Sequence, residues 1–91
     1  MPERSSTVWK YELPIADEQW IAMPHGAELL HVAEQYGKVA LWARVTPSER
    51  GIERLILIRG TAHPIETQPY IGTVVTAGGS LVWHIFDGGE A

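Results

Sequence analysis

The residues best suited to bind a ligand stand together in the run Arg59-Gly60-Thr61-Ala62-His63-Pro64. The run combines a guanidinium, a flexible backbone, a hydroxyl and an imidazole. A guanidinium forms paired hydrogen bonds with phosphate or carboxylate, and glycine lets backbone N–H groups approach an anion closely. The run therefore predicts a site for a small anionic ligand. The alternative is a strand end at which glycine and proline only redirect the chain and Arg59 is solvated.

Aromatic side chains elsewhere in the chain are suited to complete such a site by stacking on a planar ring such as a nucleobase. Tyr70, Trp42 and the pair Trp83-His84 are the candidates, with core packing as the alternative for each. Arg44 and Arg54 are further cations that neighbouring strands could bring near Arg59. The predicted ligand-binding set is Trp42, Arg44, Arg59, Gly60, Thr61, His63, Tyr70, Trp83 and His84.

Signatures of catalysis and of metal binding are weak. Hydrolysis needs a nucleophile beside a base, or two carboxylates in different environments. The serines lie in expected tails and turns, and His63 or His84 as a general base has no visible partner. His25 and His31, like the other two histidines, lack the short spacings of zinc motifs, and the chain has no cysteine. The sequence predicts a protein that is not an enzyme and has no catalytic residues, metal or cofactor.

Composition narrows the choice of partners. The net charge is −4, and the seven Lys and Arg residues are scattered along the chain. A protein that binds long nucleic acid through its phosphates normally has a basic patch. No segment approaches the roughly 20 apolar residues of a membrane span, and the N-terminal segment has no apolar signal core. We therefore expect a cytosolic protein that binds neither long nucleic acid nor a membrane.

Dense strand signals predict one all-β domain over residues 1–91, with flexible tails at 1–6 and 88–91. Tyr36-Gly37 and Gly78-Gly79 each separate two β-like runs, which predicts two hairpins. Residues 15–22, between two prolines, leave room for at most one short helical turn, or for a strand. Strands at this spacing predict a small antiparallel β-sandwich or barrel of about six or seven strands. The expected strands are 7–13, 19–23, 27–35, 38–46, 52–60, 70–76 and 80–87.

Several of these strands are apolar on both faces. In 52–60, for example, Leu55 and Leu57 oppose Ile56 and Ile58. An antiparallel domain this small has no helices to cover a second apolar face. That face either lies inside a tightly closed barrel or packs against another copy of the chain. We expect a homo-oligomer, for which a two-fold dimer is the commonest solution, and the compact barrel is the alternative.

A series of short motifs, in a fixed order, carries a family resemblance. The motifs are Lys10-Tyr11-Glu12-Leu13-Pro14, residues 23–32 (MPHGAELLHV), residues 41–45 (LWARV), residues 60–65 (GTAHPI), residues 70–73 (YIGT) and residues 81–86 (LVWHIF). Together they resemble a family of small bacteriophage and prophage proteins that contain a domain of unknown function. The resemblance covers about residues 10–86, nearly the whole chain.

This resemblance implies a biological setting, by analogy and without any transferable site residue. It implies a phage accessory protein in the cytoplasm of a bacterial host. The expected function is counter-defence, in which a homo-oligomer sequesters a small anionic, nucleotide-like or phosphorylated immune signal. The alternatives are an inhibitor that binds a host defence protein, a structural accessory protein of the virion, and a phosphodiesterase-like enzyme that uses His63 or His84.

Overall fold

The computed structural model describes residues 5–91, which form seven strands in two antiparallel sheets. This confirms the all-β prediction. The three-stranded sheet has the order β1-β4-β3, and the four-stranded sheet has the order β2-β5-β7-β6. No helix within the described residues is long and apolar enough to span a membrane. The strands are β1 (Thr7–Leu13), β2 (Glu18–Pro24), β3 (Glu28–Gln35), β4 (Lys38–Val45), β5 (Gly51–Gly60), β6 (Tyr70–Thr76) and β7 (Leu81–Glu90), with a 3₁₀ turn at Ala77–Gly79.

The core lies between the two sheets and is built from alternate residues of the central strands. Leu41 of β4, Ile56 of β5 and Ile85 of β7 are fully buried and belong to one apolar cluster. Successive side chains of a strand point to opposite faces, so the residues that each strand contributes to this cluster come from its inner face. The predicted core face of β4 is confirmed: Val39, Leu41, Ala43 and Val45 are all buried in the cluster.

Both predicted hairpins are present, and their turn residues explain them. Tyr36 and Gly37 have φ angles of 54° and 79° in the connection from β3 to β4. Two consecutive positive φ angles define the type I′ turn, whose twist matches that of the flanking strands. Gly78 and Gly79 also have positive φ angles in the connection from β6 to β7.

Two segments take a form that the sequence left open or did not predict. Residues 15–22, which left room for one helical turn or a strand, contain most of β2, which begins at Glu18 and pairs with β5, with Trp20 opposite Leu55. The expected tail at 88–91 belongs largely to β7, which pairs with β5 as far as Glu90. At Gly88 a Cβ atom would lie 2.6 Å from Leu55 Cγ, so only glycine lets the strand pass this close. Of the expected N-terminal tail, residues 1–4 lie outside the described residues.

Candidate functional site

The predicted binding residues lie in three separate parts of the molecule. Trp42 and Arg44 are on the outer face of the three-stranded sheet, since they alternate with the buried core face of β4. Trp83 faces the interior. The remaining residues surround one end of the four-stranded sheet, on the opposite side of the sandwich from Trp42: Arg59, Gly60, Thr61, His63, Tyr70 and His84.

Trp83 is part of the core in this structure. Its ring packs partly buried against the apolar cluster between the sheets. Its indole N–H donates a hydrogen bond of 3.1 Å to Thr76 Oγ1, a buried hydroxyl. A buried tryptophan normally needs such a partner for its N–H. Trp83 is therefore not placed to stack on a ligand held by the other predicted residues of the same subunit.

Trp42 and Arg44 form a different surface. The rings of Trp42 and His31 are 6.2 Å apart and tilted by 36°. Arg44 Nε lies 3.7 Å from Glu28 Oε1, and the side chains of this ion pair are 60% and 62% exposed. The pair is on the far side of the sandwich from Arg59, so a small ligand within one subunit cannot contact both arginines.

The third group surrounds a concave cavity of about 250 Å³ on the outside of the four-stranded sheet. Phe86 is buried, and the ring of Tyr70 meets it edge to face at 5.7 Å between centroids. Phe86 and Ile65 were not among the predicted site residues, because neither carries a polar group that would single it out. The lining residues are Gly60, Thr61, Ala62, His63, Ile65, Tyr70, His84 and Phe86.

The imidazole of His84 is at the centre of a hydrogen-bonded chain in this cavity. Its Nε2 atom lies 2.8 Å from Thr61 Oγ1, and its Nδ1 atom lies 3.0 Å from Thr73 Oγ1. Thr73 Oγ1 is in turn hydrogen-bonded to the hydroxyl of Tyr70. Strand register brings these groups together, since Thr73 of β6 is directly opposite His84 of β7.

A neutral imidazole has one N–H donor and one acceptor nitrogen, so one threonine donates to His84 while the other accepts. The chain from Tyr70 to Thr61 is therefore directional, and it can adopt either direction because hydroxyl hydrogens rotate and the neutral imidazole has two tautomers. Reversing the hydrogen-bonded chain lets the hydroxyl of Thr61 either donate a hydrogen bond to a ligand or accept one from it. The site thus offers adaptable polar recognition next to an aromatic and aliphatic wall.

A tight turn shapes the rim of the cavity. The N–H of His63 donates a hydrogen bond of 3.1 Å to the carbonyl of Gly60, and Ala62 has a φ angle of 73°. A positive φ angle at the third residue alone defines a type II turn, which normally has glycine at that position. A Cβ atom at Gly60 would lie 3.1 Å from the imidazole of His63, so glycine lets that ring fold back over the strand. The turn places both Thr61 and His63 at the cavity.

Arg59 lies beside a second, open hollow of about 450 Å³ that shares His63 with the cavity. Its Nη1 group donates to the backbone carbonyls of Asp17 and Ile58. These bonds fix the guanidinium against the connection from β1 to β2. Asp17 and Glu18 border the same hollow, and their negative charges reduce its attraction for a highly charged anion. The hollow is bordered by Asp17, Glu18, Arg59, His63 and Pro64.

The contacts of His84 match one part of a known catalytic arrangement. A threonine hydroxyl beside an imidazole is the first half of an activated nucleophile. In the usual arrangement a carboxylate orients the imidazole and stabilises its charged form. Here the second nitrogen of His84 meets Thr73 instead. Within residues 5–91, no three His, Asp or Glu side chains cluster where they could hold a metal ion.

A polar network around Arg54 was not predicted from the sequence. Arg54 Nε and Nη2 donate to the two carboxylate oxygens of Asp87 at 2.9 and 2.6 Å, and Nη1 donates to the carbonyl of Ala27 at 2.8 Å. Burial by itself raises the pKa of Asp87, but the hydrogen bonds from Arg54 and Gly89 and the charge of Arg54 hold that pKa below its usual range. The alternation of β5 contained a signal, because Arg54 shares a strand face with Ile56.

The network also anchors the end of β7. Glu90 accepts a hydrogen bond of 2.6 Å from the N–H of Gly26 and lies 2.8 Å from His25 Nδ1. The hydrogen bond from Gly26, with the nearby His25 and Arg54, lowers the pKa of Glu90. The network is at the opposite end of β5 from Gly60, so it stabilises the fold without touching the cavity.

Comparison with known proteins places the chain in a family but gives no activity. No curated protein and no solved structure matches it. A family model for a domain of unknown function, DUF7352, matches residues 4–91, which is nearly the whole chain. The expectation of a family with a domain of unknown function is confirmed, and the chain belongs to the DUF7352 family.

Proposed function

We propose that this protein is a non-catalytic binding protein that holds a small, nucleotide-like ligand in the cavity around His84. The observation that carries the proposal is the hydrogen-bonded chain of hydroxyls on both sides of His84, next to an apolar wall. A small-molecule site typically combines such a wall with a few converging polar groups. A flat heterocycle with donors and acceptors on its edge matches this combination.

The anionic part of the ligand is assigned to the hollow beside Arg59. His63 borders both the cavity and this hollow, so a ligand with a ring in one can extend a phosphate into the other. Arg59 supplies a positive charge, whereas Asp17 and Glu18 oppose the accumulation of negative charge. This balance favours a ligand with few phosphates over a polyphosphate.

The biological role we propose follows the setting implied by the sequence motifs. In that setting the ligand is a nucleotide-like or phosphorylated immune signal of a bacterial host. The protein acts in the host cytoplasm as a phage counter-defence protein that retains the signal intact. The support is a cavity of suitable chemistry in a family without an assigned activity.

The first test is native mass spectrometry of the protein purified from bacteria in which a nucleotide-signalling defence has been triggered. We expect extra mass of nucleotide size, and heating should release the same molecule intact. A cleaved product would replace the binding proposal with the phosphodiesterase-like alternative. Protein without extra mass, under conditions where the signal is detected in the lysate, would contradict the proposal and favour the alternative of a protein target.

Variants locate the site. Thr61→Val removes the hydroxyl at Nε2 of His84 and leaves a similar volume. Because a site built to hydrogen-bond a polar group loses affinity when one partner is removed, we expect binding to weaken about tenfold or more. Arg59→Ala should weaken binding of the phosphorylated ligand more than that of its dephosphorylated form. The matched control is Arg44→Ala on the far side of the sandwich, which should leave binding unchanged.

A further inference from the structure

The four sheet edges differ in how they are covered. β3 and β6 lie side by side at the junction of the sheets, where a Cβ atom at Gly72 would be 2.8 Å from Val32. β1 pairs with β4 along its whole length, and within residues 5–91 no strand pairs with its other edge. Val8 and Trp9 of β1 are 52% and 42% exposed. An uncovered edge strand with apolar side chains invites pairing with another chain.

Charge singles out β1 as an edge that fits a second copy of itself. Among the four edge strands of the described chain, only β1 contains both a Lys or Arg and a carboxylate, and these two residues, Lys10 and Glu12, share its outer face. β3 carries two carboxylates without Lys or Arg, β2 carries one carboxylate, and β6 has no charged residue. Two copies of β2 or β3 would therefore gain no Lys–carboxylate or Arg–carboxylate pair across the axis.

We propose that two copies of this chain pair through β1 in an antiparallel register centred on Tyr11. This register places Lys10 opposite Glu12 of the partner subunit, and the two-fold axis repeats the pair. On the inner face it places Trp9 opposite Leu13 of the partner subunit. The two three-stranded sheets become one continuous six-stranded sheet in the dimer. The proposal goes beyond the proposed function and does not require a bound ligand.

The register is specific because the neighbouring registers place like charges together. Centring the pairing on Lys10 places it opposite Lys10 of the partner subunit, and centring on Glu12 places it opposite Glu12 of the partner subunit. Directly opposite residues of an antiparallel pair have Cβ atoms about 4.5–5.5 Å apart, where like charges repel and unlike charges attract. In the single chain, Lys10 donates an exposed hydrogen bond of 2.7 Å to Gln35, and such a surface contact is exchanged at little cost.

Sedimentation velocity over a range of protein concentrations tests the dimer and its register. We expect the wild-type chain to dimerise. K10E and E12K each turn both attractive pairs into repulsive ones, so each should raise the dissociation constant about tenfold or more. The double variant K10E/E12K restores two attractive pairs and should recover the wild-type constant. Lys38→Glu, a matched charge change away from the edge, should have no effect.

Some results would overturn the dimer itself, and others would overturn only its register. A monomer at every concentration would overturn it, and so would single variants that dimerise like the wild-type chain. A dimer that both single variants weaken and the double variant does not restore would overturn the register centred on Tyr11. Circular dichroism of each variant shows whether it folds.

Disulfide trapping gives a second measurement that does not depend on charge. The chain has no cysteine, so introduced thiols have no competing partners. A tagged Lys10→Cys chain mixed with an untagged Glu12→Cys chain should form a mixed disulfide on mild oxidation, because the two positions are opposite in the proposed register. A tagged Lys38→Cys chain mixed with the same partner should not. Equal yields from the two mixtures would overturn the pairing.

Discussion

Removing the carboxylate of the largely buried Asp87 should destabilise the fold more than removing an exposed carboxylate such as that of Glu28. In Asp87→Ala, the guanidinium of Arg54 loses two short hydrogen bonds and keeps only the carbonyl of Ala27 and a contact of 3.8 Å to Glu90. The side chains of Arg54 and Asp87 are 11% and 19% exposed, so water replaces these bonds poorly.

The size of the effect follows from this burial. Leaving one partner of a fully buried ion pair unpaired costs about 3–5 kcal/mol. Because the pair here retains some solvent contact, we expect a loss of about 2–4 kcal/mol in the free energy of unfolding. For a domain of this size, a loss in that range lowers the melting temperature by about 10 °C or more.

The assay is urea denaturation of the variant beside a matched control. Glu28→Ala removes the carboxylate of the exposed ion pair with Arg44, and an exposed pair contributes less than about 1 kcal/mol. Arg54→Met combined with Asp87→Ala removes both charges, so we expect the double variant to recover part of the stability lost in Asp87→Ala alone. The reasoning is refuted if Asp87→Ala and Glu28→Ala have the same unfolding free energy.

Three further predictions concern pH and the backbone. The pKa of Asp87 is lower in the folded than in the unfolded chain. The stability that its carboxylate contributes is therefore complete above about pH 4 and is lost as the pH falls through the folded pKa. Urea midpoints measured from pH 7 to pH 2 should fall less steeply in Asp87→Ala than in the wild-type chain. Ala62→Gly relieves a positive φ angle and should raise the free energy of unfolding by about 1 kcal/mol in thermal denaturation, whereas a decrease would contradict the strain at Ala62. Gly88→Ala would place a Cβ atom 2.6 Å from Leu55 and should cost about 1–3 kcal/mol, while Gly51→Ala, which meets no atom within 4 Å, serves as the control.

Local signals explain which parts of the fold could be predicted. Tyr36-Gly37 and Gly78-Gly79 marked both hairpins, because these turns need positive φ angles, which glycine adopts readily. Gly88-Gly89 was predicted to belong to a flexible tail, because glycine weakens a strand. Its place in β7 depends on Leu55 and on partners of Glu90 near residue 25, which are distant in the sequence.

The candidate site was predictable in part, because several of its residues are close together along the chain or in one hairpin. Residues 59–63 are consecutive, and β6 and β7 form a hairpin, so local structure brings Tyr70, Thr73 and His84 near one another. Whether Trp42 and Arg44 join them depends on which sheet β4 enters. The order β1-β4-β3 is set by packing of the whole domain, and no local pattern in the sequence specifies it.

The second apolar faces have a different explanation from the one the sequence suggested. Leu57 and Phe86 lie on the outer face of the four-stranded sheet, yet they are only 4% and 8% exposed within a single chain. Tyr70 meets Phe86 edge to face, and Phe86 lines the cavity together with Ile65 of the connection from β5 to β6. These two side chains are therefore sheltered without a second subunit, and the groups beside Phe86 form the cavity. Leu57 and Phe86 therefore give no support for an oligomer. The support for a second copy comes instead from the uncovered edge of β1.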